Sequence, residues 1–237
     1  TRWVARPRPT DDARLRMFCF PHVGAGGAAF NSWLDKLPSD VDVCAIRLPG
    51  RENRLREPLM DDWRAVMAGV QEALEPMLDL PFVVVGHCSG SVLAYEFARR
   101  LTVSPEMVIL SSTDGPSVRR IDDPLHVLSQ RELLERVVEF GGMNKQVLDD
   151  PDLMAMFERI LRADYQVIER LEYTPGAPLD TPITVIGGRN DEFVTAQGMA
   201  AWAEATTREF SLHLVDAGHY ILAEAGALVA DIVRRLV

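Results

Sequence analysis

Residues 82–98 read Phe82-Val83-Val84-Val85-Gly86-His87-Cys88-Ser89-Gly90-Ser91-Val92-Leu93-Ala94-Tyr95-Glu96-Phe97-Ala98. An apolar, β-branched run passes into Gly-x-Cys-x-Gly and then into residues that suit a helix. This is the order of a nucleophile elbow. Its turn is so tight that Gly86 and Gly90 must lack side chains, and it lifts Cys88 above the end of the sheet. The helix start then lies beside the sulfur, where the helix dipole favours a thiolate. Serine is the usual residue at this place. Cysteine keeps the role and changes the chemistry, because a thiol ionises far more readily than a hydroxyl. The rival reading, a small buried hydrophobe, leaves the two glycines and the following helix unexplained.

A nucleophile of this kind needs a base, and the base needs an orienting acid, each at the end of a later strand. Asp191 follows the run Ile183 to Gly187, and His219 follows Phe210 to Val215. The chain order is nucleophile, acid, histidine. His22, His87, His126 and His213 lack that placement and read as satisfied structural histidines. Asp114, which follows Met107 to Ser111, is kept as the rival acid. Near the start, Phe18-Cys19-Phe20-Pro21-His22-Val23-Gly24-Ala25-Gly26-Gly27 is a strand followed by a glycine-rich loop. Its amides are free to face an oxyanion, with Val23 and Ser89 as the two N–H donors. Continued to Ala29, the loop also spells Gly-x-Gly-x-x-Ala, a dinucleotide fingerprint. The next strand then ends in Ile46-Arg47-Leu48-Pro49 rather than in the acidic residue that would hold a ribose.

Short strand-like runs alternate with amphipathic stretches, which predicts a mostly parallel sheet covered by helices on both faces. Strands are expected near Leu15 to Phe20, Val41 to Arg47, Phe82 to Gly86, Met107 to Ser111, Ile183 to Gly187 and Phe210 to Val215. Helices are expected near Ala28 to Lys36, Asp61 to Leu78, Ser91 to Leu101, Thr195 to Ala205 and Ile221 to Leu236. Residues 115–180 interrupt the alternation with helical periodicity around Arg131 to Phe140 and Pro151 to Leu171. An insertion at this edge of an α/β enzyme forms a lid or pocket wall, or merely packs as extra helix. Its Met143, Met154, Met156 and Phe157 are the expected lining of an acyl pocket, since flexible methionines suit varied chains.

The 237 residues are expected to form a single domain, 1–237, with that insertion inside it. A net charge of −10 argues against nucleic acid as a partner. No apolar run approaches the roughly 20 residues of a membrane span, and the arginine- and proline-rich start reads as an extended arm rather than a secretory signal. Three cysteines without Cys-x-x-Cys spacing suggest neither a disulfide framework nor a metal site. A soluble, cytoplasmic monomer is expected.

The chain resembles the type II thioesterases of the α/β-hydrolase superfamily, the free-standing editing enzymes of nonribosomal peptide and polyketide synthesis that serve antibiotic pathways. The resemblance runs from about residue 14 to 223. It rests on Phe18 to Gly24, Leu48-Pro49-Gly50-Arg51 with Arg54, Glu57 and Pro58, and Pro81-Phe82 leading into the elbow. Gly141-Gly142, Leu161-Arg162-Ala163-Asp164, Tyr173-Thr174-Pro175-Gly176, Gly187-Gly188-x-x-Asp191 and Gly218-His219 continue it. It implies an α/β-hydrolase fold, no cofactor of the enzyme's own, and an acyl group held on the phosphopantetheine arm of an acyl or peptidyl carrier protein. The departure is Cys88 where the family usually has serine. An acyl-cysteine is itself a thioester, so passage on and off the enzyme is close to thermoneutral, and transfer between carriers competes with hydrolysis. A carrier-binding module without turnover is a third reading, against which stands the survival of all three triad types in order. An acidic carrier would need a basic surface, for which Arg51, Arg54, Arg56, Arg119 and Arg120 are the expected clusters.

Overall fold

A computed structural model describes residues 1–119, 123–171 and 173–237. Seven strands form one sheet: β1 (Val4–Ala5), β2 (Leu15–Phe20), β3 (Val41–Ile46), β4 (Phe82–His87), β5 (Met107–Ser111), β6 (Ile183–Gly188) and β7 (Phe210–Val215). Their order is β1-β3-β2-β4-β5-β6-β7, parallel throughout except for β1, which runs antiparallel to β3. The helices are α1 (Trp63–Leu74), α2 (Ser89–Ala98), α3 (Gln130–Glu139), α4 (Pro151–Glu169), α5 (Ala196–Ala200) and α6 (Leu222–Val233).

Strand alternation sorts the core into two layers. Phe18 and Phe20 of β2, Phe82 and Val84 of β4 and Val108 and Leu110 of β5 face α1 and α2, where Val66, Met67, Val70 and Phe97 meet them. Leu15, Met17, Cys19, Val83, Val85 and Ile109 face the opposite way, onto Phe30, Trp33 and α6. Covering both faces is what permits nearly continuous apolar strands.

Two expectations change. The arginine-rich arm is not simply extended chain: Val4 and Ala5 pair with Ile46 and Ala45, and Arg6 forms an ion pair at 2.8 Å with the buried Asp42 of β3. The stretch after the glycine-rich loop forms a 3₁₀ turn, Gly27–Trp33, rather than an α-helix to Lys36.

Between β5 and β6, α3 and α4 pack on each other through Leu133, Leu134, Val137 and Leu161. Each begins at a capped end. Ser129 and Glu132 exchange side-chain and backbone hydrogen bonds at α3, and Asp150 accepts from Asp152 and Leu153 N–H ahead of Pro151 at α4.

Candidate active site

β4 ends at His87, and Cys88 adopts φ 51° and ψ −123° before α2 begins at Ser89. That left-handed φ is strained for a residue with a side chain, and neighbouring bonds hold it. Cys88 N–H donates to Ser111 O at 2.8 Å, and Ser91 N–H donates to Cys88 O at 2.9 Å. The glycines are required by contact: a Cβ on Gly86 would meet Ser91 Cα at 2.4 Å, and one on Gly90 would meet Phe20 O at 2.2 Å. The tight turn thus wedges α2 against the ends of β2 and β5.

Asp191, three residues beyond β6, and His219, four beyond β7, converge on this turn. His219 Nε2 lies 3.1 Å from Cys88 Sγ, and His219 Nδ1 lies 2.9 Å from Asp191 Oδ2. Ser112 Oγ donates to His219 O at 2.7 Å, which anchors the histidine backbone to the end of β5. Asp191 has a fully buried side chain, and its Oδ1 accepts from Phe193 and Val194 N–H at 2.9 and 3.1 Å. Burial would raise this carboxyl, but the His219 hydrogen bond and the two amides bring it below the usual value. Burial also works against a charged His219, yet its hydrogen bonds to Asp191 and Cys88 and their negative charge outweigh that and raise it to about 10. His219 Nε2 is thus placed to exchange a proton with the sulfur.

Val23 and Ser89 also meet. Val23 N–H donates to Ser89 Oγ at 2.8 Å, so the glycine-rich loop closes on the elbow. A second clamp holds that loop from the other side. Arg51 donates to both oxygens of Asp164 on α4, at 2.7 and 2.6 Å, and to Ala25 O at 3.0 Å, while Gly24 N–H donates to Asp164 Oδ2 at 2.8 Å. Asp164 therefore ties α4 to the loop that carries Val23.

Arg51 and Arg54 do not form an exposed basic surface. Both are buried, Arg51 on Asp164 and Arg54 on Glu57 and Arg47 O, because each guanidinium serves a structural carboxylate. Arg56 is exposed. Arg119 is half-buried and donates to Ile168 O at 3.2 Å, and Arg120 lies outside the described residues.

A cavity of about 580 Å³ opens above Cys88 and His219. Its wall from the β5–β6 segment includes Leu125, Arg136, Phe140, Tyr165, Ile168 and Glu169. None of Met143, Met154, Met156 and Phe157 lines it. Met143, Met154 and Phe157 pack into the small core that α3 and α4 make between themselves, and Met156 faces a groove beside Leu55 and Leu59. Helical periodicity marks an apolar face but not which surface it meets.

Histidines His22 and His87 stand behind His219. Their ring centroids are 5.3 Å apart, and His87, fully buried, has its Nδ1 2.9 Å from Ser111 Oγ. Burial, helped by the neighbouring histidines, lowers both, His22 to about 4, so each stays neutral near pH 7. Their packing role had no sequence signal beyond their nearness to the loop and elbow. Among the described residues no group of His, Cys, Asp and Glu is arranged to hold a metal ion, and no helix is long and apolar enough to cross a membrane.

The elbow, the acid after β6 and the histidine after β7 meet at one end of the sheet, and the family model "Thioesterase domain" matches residues 15–236. The chain belongs to the thioesterase family. Among its relatives, the gramicidin S biosynthesis protein GrsT of Aneurinibacillus migulanus is 32% identical over 228 residues, covering 94% of this chain and 89% of that protein. Of solved structures, the type II thioesterase BorB from the borrelidin biosynthetic cluster superposes with a TM-score of 0.90 at 29% identity, covering 99% of this thioesterase and 97% of BorB. RedJ, a thioesterase from the prodiginine pathway in Streptomyces coelicolor, gives 0.84 at 32% identity, with 95% and 90% coverage. This thioesterase is accordingly a thioester hydrolase with an α/β-hydrolase fold.

Proposed function

We propose that the enzyme removes acyl groups from phosphopantetheine thioesters on acyl or peptidyl carrier proteins, through an acyl-cysteine at Cys88. The observation that carries this reading is the unbroken line of Cys88 Sγ, His219 and Asp191 at 3.1 and 2.9 Å on a strained elbow. The relatives' part in nonribosomal peptide and polyketide biosynthesis supports the choice of carrier. The enzyme acts as a cytoplasmic monomer and employs no metal or nucleotide.

His219 takes the thiol proton, and the thiolate attacks the thioester carbonyl. Ser89 N–H and Val23 N–H receive the oxyanion, Val23 exchanging its present bond to Ser89 Oγ for the substrate oxygen. The carbonyl re-forms, the carbon–sulfur bond to pantetheine breaks, and the leaving sulfur takes the proton from His219. Water then attacks acyl-Cys88 with its proton passing to His219; the carboxylic acid departs, and the Cys88 sulfur regains its hydrogen bond to the imidazolium. Asp191 holds Nδ1 of the imidazole, so that Nε2 faces the sulfur throughout.

Intact-protein mass spectrometry with an acylated carrier tests this. The expected record is a transient acyl adduct on Cys88, free acid as product and an emptied carrier. The cysteine itself favours one rival: an adduct that moves onto a second, empty carrier with little free acid would make the enzyme an acyl or aminoacyl transferase. No adduct and no loss from the carrier would make it a binding module.

A further inference from the structure

Ser89, Ser91, Ser111 and Ser112 lie at the carboxyl ends of β4 and β5, and three of these hydroxyls donate within the protein. Ser91 Oγ donates to Ser111 O at 3.1 Å, Ser111 Oγ to Gly86 O at 3.1 Å and Ser112 Oγ to His219 O at 2.7 Å. Ser89 differs. Its Oγ accepts from Val23 N–H at 2.8 Å, and among the described residues its own O–H has no acceptor.

That oxygen stands where the two oxyanion amides converge. Val23 N–H is one of them and Ser89 N–H the other, and Ser89 Oγ is hydrogen-bonded to the first while belonging to the residue that carries the second. Ser89 also borders the cavity above Cys88 and begins α2, where the first N–H groups have no partner within the helix. In the free enzyme its hydroxyl thus occupies the amide that a substrate carbonyl oxygen has to reach. Rotation about the Ser89 Cα–Cβ bond moves Oγ off Val23, but so short a side chain stays beside its own N–H. The arriving oxygen therefore displaces the hydroxyl without leaving its reach. An O–H with no other acceptor donates to a negative charge that develops next to it, and such charge-assisted bonds are roughly twice as strong as neutral ones.

We propose that the Ser89 hydroxyl is a third oxyanion donor. It holds Val23 N–H in the free enzyme, yields that amide to the substrate oxygen and then donates a hydrogen bond to the same oxygen as Cys88 attacks. The proposal rests on the acylation of Cys88 argued above and adds one side chain to the two backbone amides. Cys88 Sγ bonds to the carbonyl carbon, the carbonyl π pair moves onto the oxygen, and the Ser89 O–H bond stays intact throughout. A donor that meets full negative charge only in the transition state raises kcat and leaves substrate binding little changed.

S-trifluoroacetonyl-pantetheine reads the oxyanion without turnover: Cys88 Sγ adds to its ketone carbon, the thiol proton passes to His219, and the oxygen keeps the negative charge. S-acetonyl-pantetheine has the same shape with a ketone that stays uncharged. Ser89→Ala should weaken the trifluoro ketone about tenfold or more relative to the plain one, and should lower kcat on an acyl pantetheine thioester by a similar factor with KM little changed. Ser89→Thr, which keeps the hydroxyl, should recover part of both. Binding of the trifluoro ketone to Ser89→Ala as tight as to the wild type, or tighter, overturns the proposal, since the hydroxyl would then only fill the site. An equal loss on both ketones overturns it too, and would make Ser89 a prop of the glycine-rich loop. If mass spectrometry finds no ketone adduct on wild-type Cys88, the catalytic reading has failed and the third donor with it. An adduct with an unchanged ratio of the two ketone affinities removes Ser89 alone.

Discussion

Asp191 after β6 and Asp114 after β5 stand at the carboxyl ends of neighbouring strands, and the fold provides for them in opposite ways. Asp191 is enclosed and saturated by His219 Nδ1 and two backbone amides, and its carboxyl is lowered. Asp114 lines open space, has one oxygen without a donor, and its carboxyl is raised. Position at the carboxyl end of the sheet brings both acids to one region, but hydrogen bonding separates the one that holds the histidine from the one that makes no such bond. Either assignment fails if the two sites respond alike.

The largest effect expected is at the point on which both converge. Cys88→Ala should abolish the acyl-enzyme, read by mass spectrometry, with little loss of melting temperature because the thiol is not part of a core cluster. Iodoacetamide sharpens the result. Cys19 and Cys44 are buried and raised, Cys44 to about 12, so peptide mapping should find label on Cys88 first. Inactivation with label on either of the others would remove Cys88 from the mechanism.

Next comes the contrast itself. Asp191→Asn should slow turnover of acyl thioesters by up to about 10⁴, the loss seen when a triad imidazole is left in the wrong tautomer. Asp114→Asn, which touches no hydrogen bond of His219, should cost far less. The same comparison has a pH signature in stability. His219 is raised from 6.5 to about 10 in the folded protein, so its contribution is fully present below about 6.5 and is lost as pH rises through about 10. Urea unfolding from pH 6 to 10 should show that decline in the wild type, and a shallower one in Asp191→Asn. Equal slopes would mean that Asp191 does not hold the imidazolium.

How much of this was legible in the sequence follows the same division between saturated core and open surface. β5 and β7 have the bounds that the apolar runs predict, and Cys88, Asp191 and His219 meet as strand order implies, because a doubly covered sheet repeats its pattern along the chain. β1 was hidden, since two residues among arginines and prolines carry no strand pattern and gain their partners only from β3. Arg51 read as a surface charge because its partner, Asp164, lies 113 residues away on α4. No local spacing can report such a pair.

That ion pair gives the next smaller effect. Asp164→Asn leaves Arg51 buried with its charge uncompensated, which should destabilise the fold by about 3–5 kcal/mol. It also loosens Gly24 and so the N–H of Val23. Activity measured well below the lowered melting temperature should therefore still fall, and mainly in kcat. If kcat at such a temperature equals the wild type, the clamp stabilises the fold without shaping the loop.

The smallest effect separates the two ends of α4. Met154 packs with Leu133, Leu134 and Leu161 in the core between α3 and α4, whereas Ile168, about four turns further along α4 on nearly the same face, borders the cavity above Cys88. Met154→Leu nearly conserves volume, so it should change stability by less than about 1.5 kcal/mol and leave the preference among acyl chain lengths where it was. Ile168→Phe adds bulk on the cavity side. It should reduce kcat/KM for long acyl chains relative to short ones, read on a series of pantetheine thioesters, and because Ile168 is also buried in the main core the added bulk should cost about 1–3 kcal/mol of stability. The two substitutions lie on the same helix, so altered lid stability alone would move both profiles together. A chain-length shift in Met154→Leu, or none in Ile168→Phe, would return Met154 to the pocket and remove Ile168 from it.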